Sequence, residues 1–408
     1  MIRLTPAQKR RLSDLLDPLA GALFWLSRWP RRGSRDPLLP DAANDGLRPD
    51  GSPLRLLVVR LDTIGDILLS EPALAALRRR FPRARLDMVT SPAGVSLLEG
   101  NPHLDRLLPY EGPWHRAWRG GKVSWSSELR PLLRLVSGLR AERYDLGFDL
   151  RGDPRDIAFL AATNPRVTIG SSYRGGRRLL DCDVPADLSQ HRVAFNQAIV
   201  GVSGARPDGA APRLYNLAAA REVAQELLQP LAGSLRIAFH LGAGFASKCL
   251  PVETFAAVAR HLQRSRNGRR PVALVLVGGT EDQELTGRFA SEFSTPVLDL
   301  AGRLDLKETA AVLERCHLFI GNDSGPMHLA AAVGTPIVCC FGPSPTWQYH
   351  PFGSAYRLVS APLDCRPCDM VHCVWDDRYR CMKEIEANQV VAAAEELLDL
   401  KPQRVSML

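Results

Sequence analysis

The chain alternates short β-prone apolar runs with helical stretches, and it does so in two successive series. Leu54 to Arg60 is the first run. It is followed by the turn Asp62 to Asp66, a helical pattern closing on Arg78 to Pro82, and a second strand from Leu86 to Thr90. A strand, a crossover helix and a second strand make a βαβ unit, which forces a parallel sheet. Tyr144 to Leu150 and Val167 to Gly170 continue the series, and a helix follows over Asn216 to Leu228. The stretch Gln229 to Ser234 reads as a boundary. Strands over Arg236 to Leu241, Val272 to Val277, Val297 to Leu300, His317 to Gly321 and Thr335 to Phe341 then alternate with helices. Those helices begin near Pro251 to Glu253 and run over Glu281 to Phe293, Lys307 to Cys316 and Pro326 to Val333. The expected architecture is α/β: two doubly wound Rossmann-like halves. The expected divisions are an N-terminal amphipathic helix and linker over 1–53, a first domain over 54–230, a second over 231–385, and a C-terminal helix and tail over 386–408.

A chain of 408 residues has room for two such cores without disulfide support. Its apolar share of 45% and charged share of 24% are those of a globular protein, which excludes a disordered or fibrous chain. The net charge of +8, carried mostly by arginine, favours anionic partners: nucleic acid, phosphorylated small molecules or an acidic membrane surface. No segment reaches the roughly 20 apolar residues of a membrane span. The stretch Leu15 to Trp29 comes closest, but it is interrupted by Asp17, Pro18 and Arg28 and lacks the small-residue cleavage site of a signal peptide. Phe24, Trp25 and Trp29 suit an interfacial helix, and a helix packed on the protein's own surface is the alternative. Nine cysteines without a secretory signal point to a reducing, cytoplasmic compartment.

In open α/β sheets ligands bind where strand C-termini lead into helix N-termini, so those loops are the places to search. Asp66 sits in the turn after the first strand, beside Thr63 and Gly65. It is read either as a helix cap or as a general base, and Gly65 as a point of close approach or positive φ. The stretch Gly321 to His328 (GNDSGPMH) feeds a buried strand into a helix start with Pro326 in its first turn. That construction offers free N–H groups to a diphosphate, with Ser324, Gly325 and His328 at the mouth. Asp323 would be awkward beside a diphosphate and is expected to cap the helix or orient a neighbour. The turn His240 to Lys248 (HLGAGFASK) is glycine-rich, with Lys248 able to neutralise phosphate, although the P-loop spacing is absent. Glu281, just after Gly278 and Gly279, can accept hydrogen bonds from ribose hydroxyls or begin a helix. The dinucleotide fingerprint G-x-G-x-x-G is missing after the first strand. Cys365, Cys368, Cys373 and Cys381, with His372 to spare, are read either as a structural zinc site or as an unmetallated thiol cluster, with iron–sulfur ligation and redox-sensitive disulfides as alternatives.

Taken together, the stretches Arg60 to Pro72 (RLDTIGDILLSEP), Phe148 to Asp153 (FDLRGD), His240 to Pro251, Gly278 to Glu281 and Gly321 to Ala332 (GNDSGPMHLAAA) resemble glycosyltransferase family 9, the lipopolysaccharide heptosyltransferases. The resemblance spans about residues 54 to 395. It implies a GT-B fold with a cleft between the halves, acceptor on the first and nucleotide-sugar on the second. The implied reaction is inverting heptose transfer from ADP-heptose to a lipopolysaccharide core, without a catalytic metal. Asp66 would then deprotonate the acceptor hydroxyl, Lys248 pair with the diphosphate and Glu281 hold the nucleoside. Ser324, Gly325 and His328 would line the diphosphate end, with Asp323 positioning donor or loop. A phosphorylated glycolipid acceptor suits the arginines of the first half, and a peripheral contact with the inner membrane would follow. The sequence departs from the family where Cys249, Leu250 and Pro251 replace the usual aromatic before proline, and in its N-terminal extension. Competing readings are a relative using another nucleotide-sugar in O-antigen or capsule assembly, a non-catalytic sugar-nucleotide binder, and a hydride-transferring enzyme. A nucleic-acid binder has no recognisable module to support it.

Overall fold

The computed structural model describes residues 45–114, 125–265, 270–295, 297–370, 373 and 379–399. The expected N-terminal amphipathic helix, with Phe24, Trp25 and Trp29, lies outside the described residues, as do His372 and the tail beyond 399. Contacts divide the chain at Ala210 into two compact units.

The first unit holds one six-stranded parallel sheet built from β1 (Arg55–Arg60), β2 (Arg85–Thr90), β3 (Arg106–Pro109), β4 (Leu146–Asp149), β5 (Val167–Gly170) and β6 (Cys182–Asp183). Their spatial order is β3-β2-β1-β4-β5-β6. The second unit holds β7 (Leu235–His240), β8 (Val272–Leu276), β9 (Leu298–Asp299), β10 (Leu318–Asn322), β11 (Ile337–Cys340) and β12 (Tyr356–Val359), in the order β12-β11-β10-β7-β8-β9. Counted from its own first strand, each sheet therefore runs 3-2-1-4-5-6, the order of a doubly wound dinucleotide fold. The two expected Rossmann-like halves are both present.

The central strands form because their residues are apolar on both faces, as a sheet covered by helices requires. Leu56 to Val59 in β1 are all buried, as are Leu318 to Asn322 in β10. Register ties β1 to β2 through Arg55↔Arg85 and to β4 through Leu56↔Leu146. The helix Glu71–Arg80 carries Pro72 in its first turn and Arg78, Arg79 and Arg80 in its last, where each suits the free backbone groups and the dipole. Leu306–Glu314 begins with a capping box in which Asp305 and Glu308 exchange hydrogen bonds with each other's backbone.

β3, β6 and β12 have no counterpart in the sequence reading. Each is short, only partly buried and at the edge of its sheet, so none carries the continuous apolar run that marks a central strand. The boundary also falls earlier than the expected 230. The helix Ala218–Leu228 belongs to the second unit, where Arg221 makes a two-pronged bond with Glu314 at 2.8 and 2.7 Å. Among the described residues no helix is long and apolar enough to cross a membrane.

Candidate functional site

Strand order reverses direction between strands 1 and 4 of each sheet, and the loops leaving those strands flank a crevice. In the first unit they are the loops after β1 and β4. Asp66 is the third residue of the helix Ile64–Leu68, so it is not that helix's cap, and Thr63 holds the cap position. Thr63 instead donates its hydroxyl to Asp66 Oδ2 at 2.9 Å, while Arg60 Nη2 donates to Asp66 Oδ1 at 2.9 Å. Gly65 is buried within the helix without a positive φ, which leaves close approach as the one of its two readings still open.

Arg60, the last residue of β1, has no solvent exposure and also donates to the carbonyl of Leu150 after β4. Arg151, from that same loop, reaches Asp62 at 3.3 Å, Asp156 at 3.3 Å and the carbonyl of Leu61 at 3.0 Å. Two guanidiniums thus stitch the two loops together. Burial by itself would push the Asp66 carboxyl up, but Arg60, Arg192, the Thr63 hydroxyl and Arg151 outweigh it and hold the group at about 2. Asp62 moves the other way, raised by burial and by the charge of Asp66. Asp149, at the end of β4, is raised well above the usual carboxylate range by burial and by Asp156, and it accepts the Gly152 amide at 2.6 Å. Gly152 has φ +77°, and a side chain there would strike Tyr173. Sequence reading missed Arg60 and Arg151 as parts of the site. The available signal was a charged residue at the end of an otherwise apolar strand.

In the second unit the loops are those after β7 and β10. Lys248 closes the short 3-10 turn Ala246–Lys248, and its Nζ donates to Asp323 Oδ2 at 2.7 Å. Burial raises the Asp323 carboxyl, but the charge and hydrogen bond of Lys248, with help from Ser344 and His328, bring it below the usual range. Asp323 therefore holds Lys248 and does not cap the helix. Asn322, fully buried, clips the two loops together: it donates to the carbonyls of Leu241 and Gly242 and accepts the Leu250 amide at 3.1 Å.

The helix Gly325–Ala332 begins at Ser324, which occupies the cap position without a side-chain capping bond, and Pro326 lies in the first turn. The Ser324 hydroxyl turns instead toward His240 Nδ1, 2.9 Å away. His328 is buried one turn into the helix. The helix start thus keeps its amides clear of its own cap residue, the arrangement that favours an anion.

Glu281 and Asp282 are adjacent in their turn but differ in burial. Glu281 is exposed, while Asp282 is buried, accepts the Gly279 amide at 2.9 Å and lies 3.2 Å from His240 Nε2. A Cβ on Gly242 or Gly278 would run into the Asp282 carboxylate. These two glycines in the turns after β7 and β8 make room for a buried carboxylate.

Cys365, Cys368, Cys373 and Cys381 are all free thiols. Burial raises the Cys381 thiol; Arg366 opposes that shift, and the charges of Cys368, Cys365 and Cys373 add to it. Among the described residues, no set of three or more His, Cys, Asp or Glu side chains is placed to hold a metal ion.

The family model for glycosyltransferase family 9 (heptosyltransferase) matches residues 132–377. Lipopolysaccharide heptosyltransferase 3 of Escherichia coli is 27% identical over 289 residues, covering 68% of this chain and 80% of that protein. The crystal structure of the glycosyl transferase family 9 from Veillonella parvula superposes with a TM-score of 0.71 at 24% identity, covering 85% of this chain and 97% of that one. The E. coli ADP-heptose lipopolysaccharide heptosyltransferase II gives a TM-score of 0.67 at 20% identity, covering 85% and 98%. These structural likenesses show the GT-B fold.

Proposed function

The chain belongs to glycosyltransferase family 9, the heptosyltransferase family, and from that premise we propose that it transfers a heptose from ADP-heptose to a lipopolysaccharide core acceptor, with inversion. The observation that carries this reading is the second unit's switch point. There Lys248 is held by Asp323 beside a helix start whose cap residue leaves its amides open. An ADP-sugar needs such a place for its diphosphate, and the names of the E. coli relatives supply the donor and acceptor class.

In this reading the acceptor hydroxyl attacks the anomeric carbon as the bond from that carbon to the diphosphate oxygen breaks. The hydroxyl proton passes to the Asp66 carboxylate and the electron pair leaves with ADP. Negative charge growing on the leaving oxygen meets Lys248 and the helix amides, already in place before the reaction begins. Asp66 is ionised throughout the neutral range, so its carboxylate is open to the proton, while the guanidiniums that hold it at about 2 make it a weak base that takes the proton as the glycosyl bond breaks. Thr63 and Gly65 shape its turn, Ser324, Gly325 and His328 line the diphosphate end, and Glu281 takes the nucleoside. The reading gives the cysteine group no part in the transfer.

A binding and turnover screen against ADP-, UDP- and GDP-sugars, with a phosphorylated lipopolysaccharide core fragment as acceptor, tests the proposal. The expected result is saturable ADP-heptose binding and transfer of heptose to the fragment. Preference for a UDP- or GDP-sugar would overturn the donor, and binding without transfer would overturn the catalytic reading.

A further inference from the structure

Three side chains from three loops of the second unit form one hydrogen-bonded line. Asp282 Oδ2 lies 3.2 Å from His240 Nε2, and His240 Nδ1 lies 2.9 Å from the hydroxyl of Ser324. His240 and Asp282 are 4% and 6% exposed, while Ser324 stands at the start of the helix Gly325–Ala332. The line therefore runs from a buried carboxylate to a hydroxyl at the position assigned above to the diphosphate. Gly242 and Gly278 leave space for the carboxylate, and the Gly279 amide fixes it.

The direction of the protons along this line decides what Ser324 can offer an anion. Asp282, ionised, only accepts. Burial pushes its carboxyl up, but the hydrogen bond and charge of His240 and the Gly279 amide bring it below the usual range. A neutral imidazole must then carry its one proton on Nε2 and present a lone pair at Nδ1. Ser324 satisfies that lone pair, or the Asn322 carbonyl at 3.2 Å, with its only proton, and turns bare oxygen toward the helix mouth. A second proton on the imidazole reverses this. Nδ1–H donates to the Ser324 oxygen, the hydroxyl hydrogen swings outward, and a positive charge appears behind it.

We propose that Asp282, His240 and Ser324 act as a proton-gated positioning relay, in which binding of a nucleoside diphosphate draws one proton onto His240 and turns the Ser324 hydroxyl into a donor to the diphosphate. The inference rests on the donor site proposed above. The same three residue types activate a nucleophile in hydrolases, but a helix start attracts an anion's oxygens and not a carbonyl carbon. His240 and Asp282 are positioning residues, since they act through Ser324. Among the described residues, the other charged or titratable groups on these three loops and the helix start are Cys249, raised to about 11 by burial and Asp282, together with Glu281, the Lys248–Asp323 pair and His328. Of these, His328 is the one other imidazole, so the test includes it.

The probe is ADP, titrated into the full-length protein by calorimetry at about pH 8, above the ordinary imidazole range, in two buffers of different ionisation enthalpy. The wild type is expected to take up a substantial fraction of one proton per ADP bound. Its affinity should fall with rising pH by up to about tenfold per unit. His240→Gln removes the uptake, and His328→Gln retains it. Asp282→Asn, which leaves the imidazole without its carboxylate, also removes the uptake and serves if His240→Gln fails to fold. Uptake that survives in His240→Gln or Asp282→Asn overturns the relay, as does ADP binding by the wild type with no uptake. If the wild type binds no ADP, the donor-site reading falls and the relay falls with it; binding without uptake breaks the relay alone.

Discussion

The two units carry the same strand order, yet the loops at their switch points have opposite electrical characters. After β1 and β4 a carboxylate is caught between buried guanidiniums, and Asp66 is held at about 2. After β7 and β10 a lysine held by the buried Asp323 stands beside a helix start, and a second buried carboxylate, Asp282, is set behind an imidazole. One scaffold thus presents a carboxylate between guanidiniums in one half and a lysine beside a helix start in the other, the groups to which the proposal assigns proton acceptance and diphosphate binding. The difference lies wholly in short loops, which is why the fold alone does not state the chemistry.

The largest effect expected from breaking this contrast comes from Asp66→Asn. Loss of a general base lowers kcat by about 10²- to 10⁴-fold, while ADP affinity, measured by calorimetry, should stay within about twofold. In the wild type, kcat at saturating donor should stay flat from about pH 7 down to about pH 5, because Asp66 remains ionised there. A pH limb near 6 that vanishes in another variant would move the base elsewhere.

Arg60→Met comes next. It strips a fully buried cation from Asp66 and Asp62, and chemical denaturation should show a loss of about 3–5 kcal/mol. The variant also changes the acid response. In the wild type Asp66 is depressed below its ordinary 3.8, so its stabilisation is present above that value and is lost as pH falls toward about 2. Without Arg60 that loss should begin at higher pH. Unchanged stability would show that the guanidinium is not what holds the two loops.

Lys248→Ala should weaken ADP binding by about 10- to 100-fold, as loss of a charge-assisted contact does, with turnover at saturating donor less affected. Equal affinity would remove the anion receptor from the comparison. The smallest effect is that of Asp149→Asn. Asp149 is raised well above 3.8, so the wild type loses stability as pH rises from that value through the raised one. The amide keeps the bond from Gly152 without that loss. Melting temperatures of the two proteins should agree within a few degrees near pH 4, and the variant should gain as pH rises. A variant that falls behind with rising pH would reverse the sign assigned to Asp149.

Much of this was legible in the amino-acid order because it is local. Runs such as Leu56 to Val59 and Leu318 to Ile320 mark central strands by composition, and a turn followed by Pro326 marks a helix start. Asp66, Lys248 and Ser324 stand out because they follow such strands, and loops after strands are where open sheets place ligands. The edge strands β3, β6 and β12 are partly solvated and lack the run. The helix Ala218–Leu228 could not be assigned to a unit until Arg221 met Glu314, 93 residues away.

The sequence by itself determined the double α/β alternation, the loops that bear chemistry and the family. Periodicity, turn residues and short motifs are properties of neighbours along the chain. Only the tertiary structure decided what those residues do to each other. Asp323 and Lys248 are 75 residues apart, Asp282 and His240 42, and Ser324 and His240 84. Proton direction, charge state and the pairing of Asp282 with His240 depend on distances of about 3 Å between such residues, and spacing along the chain does not encode them.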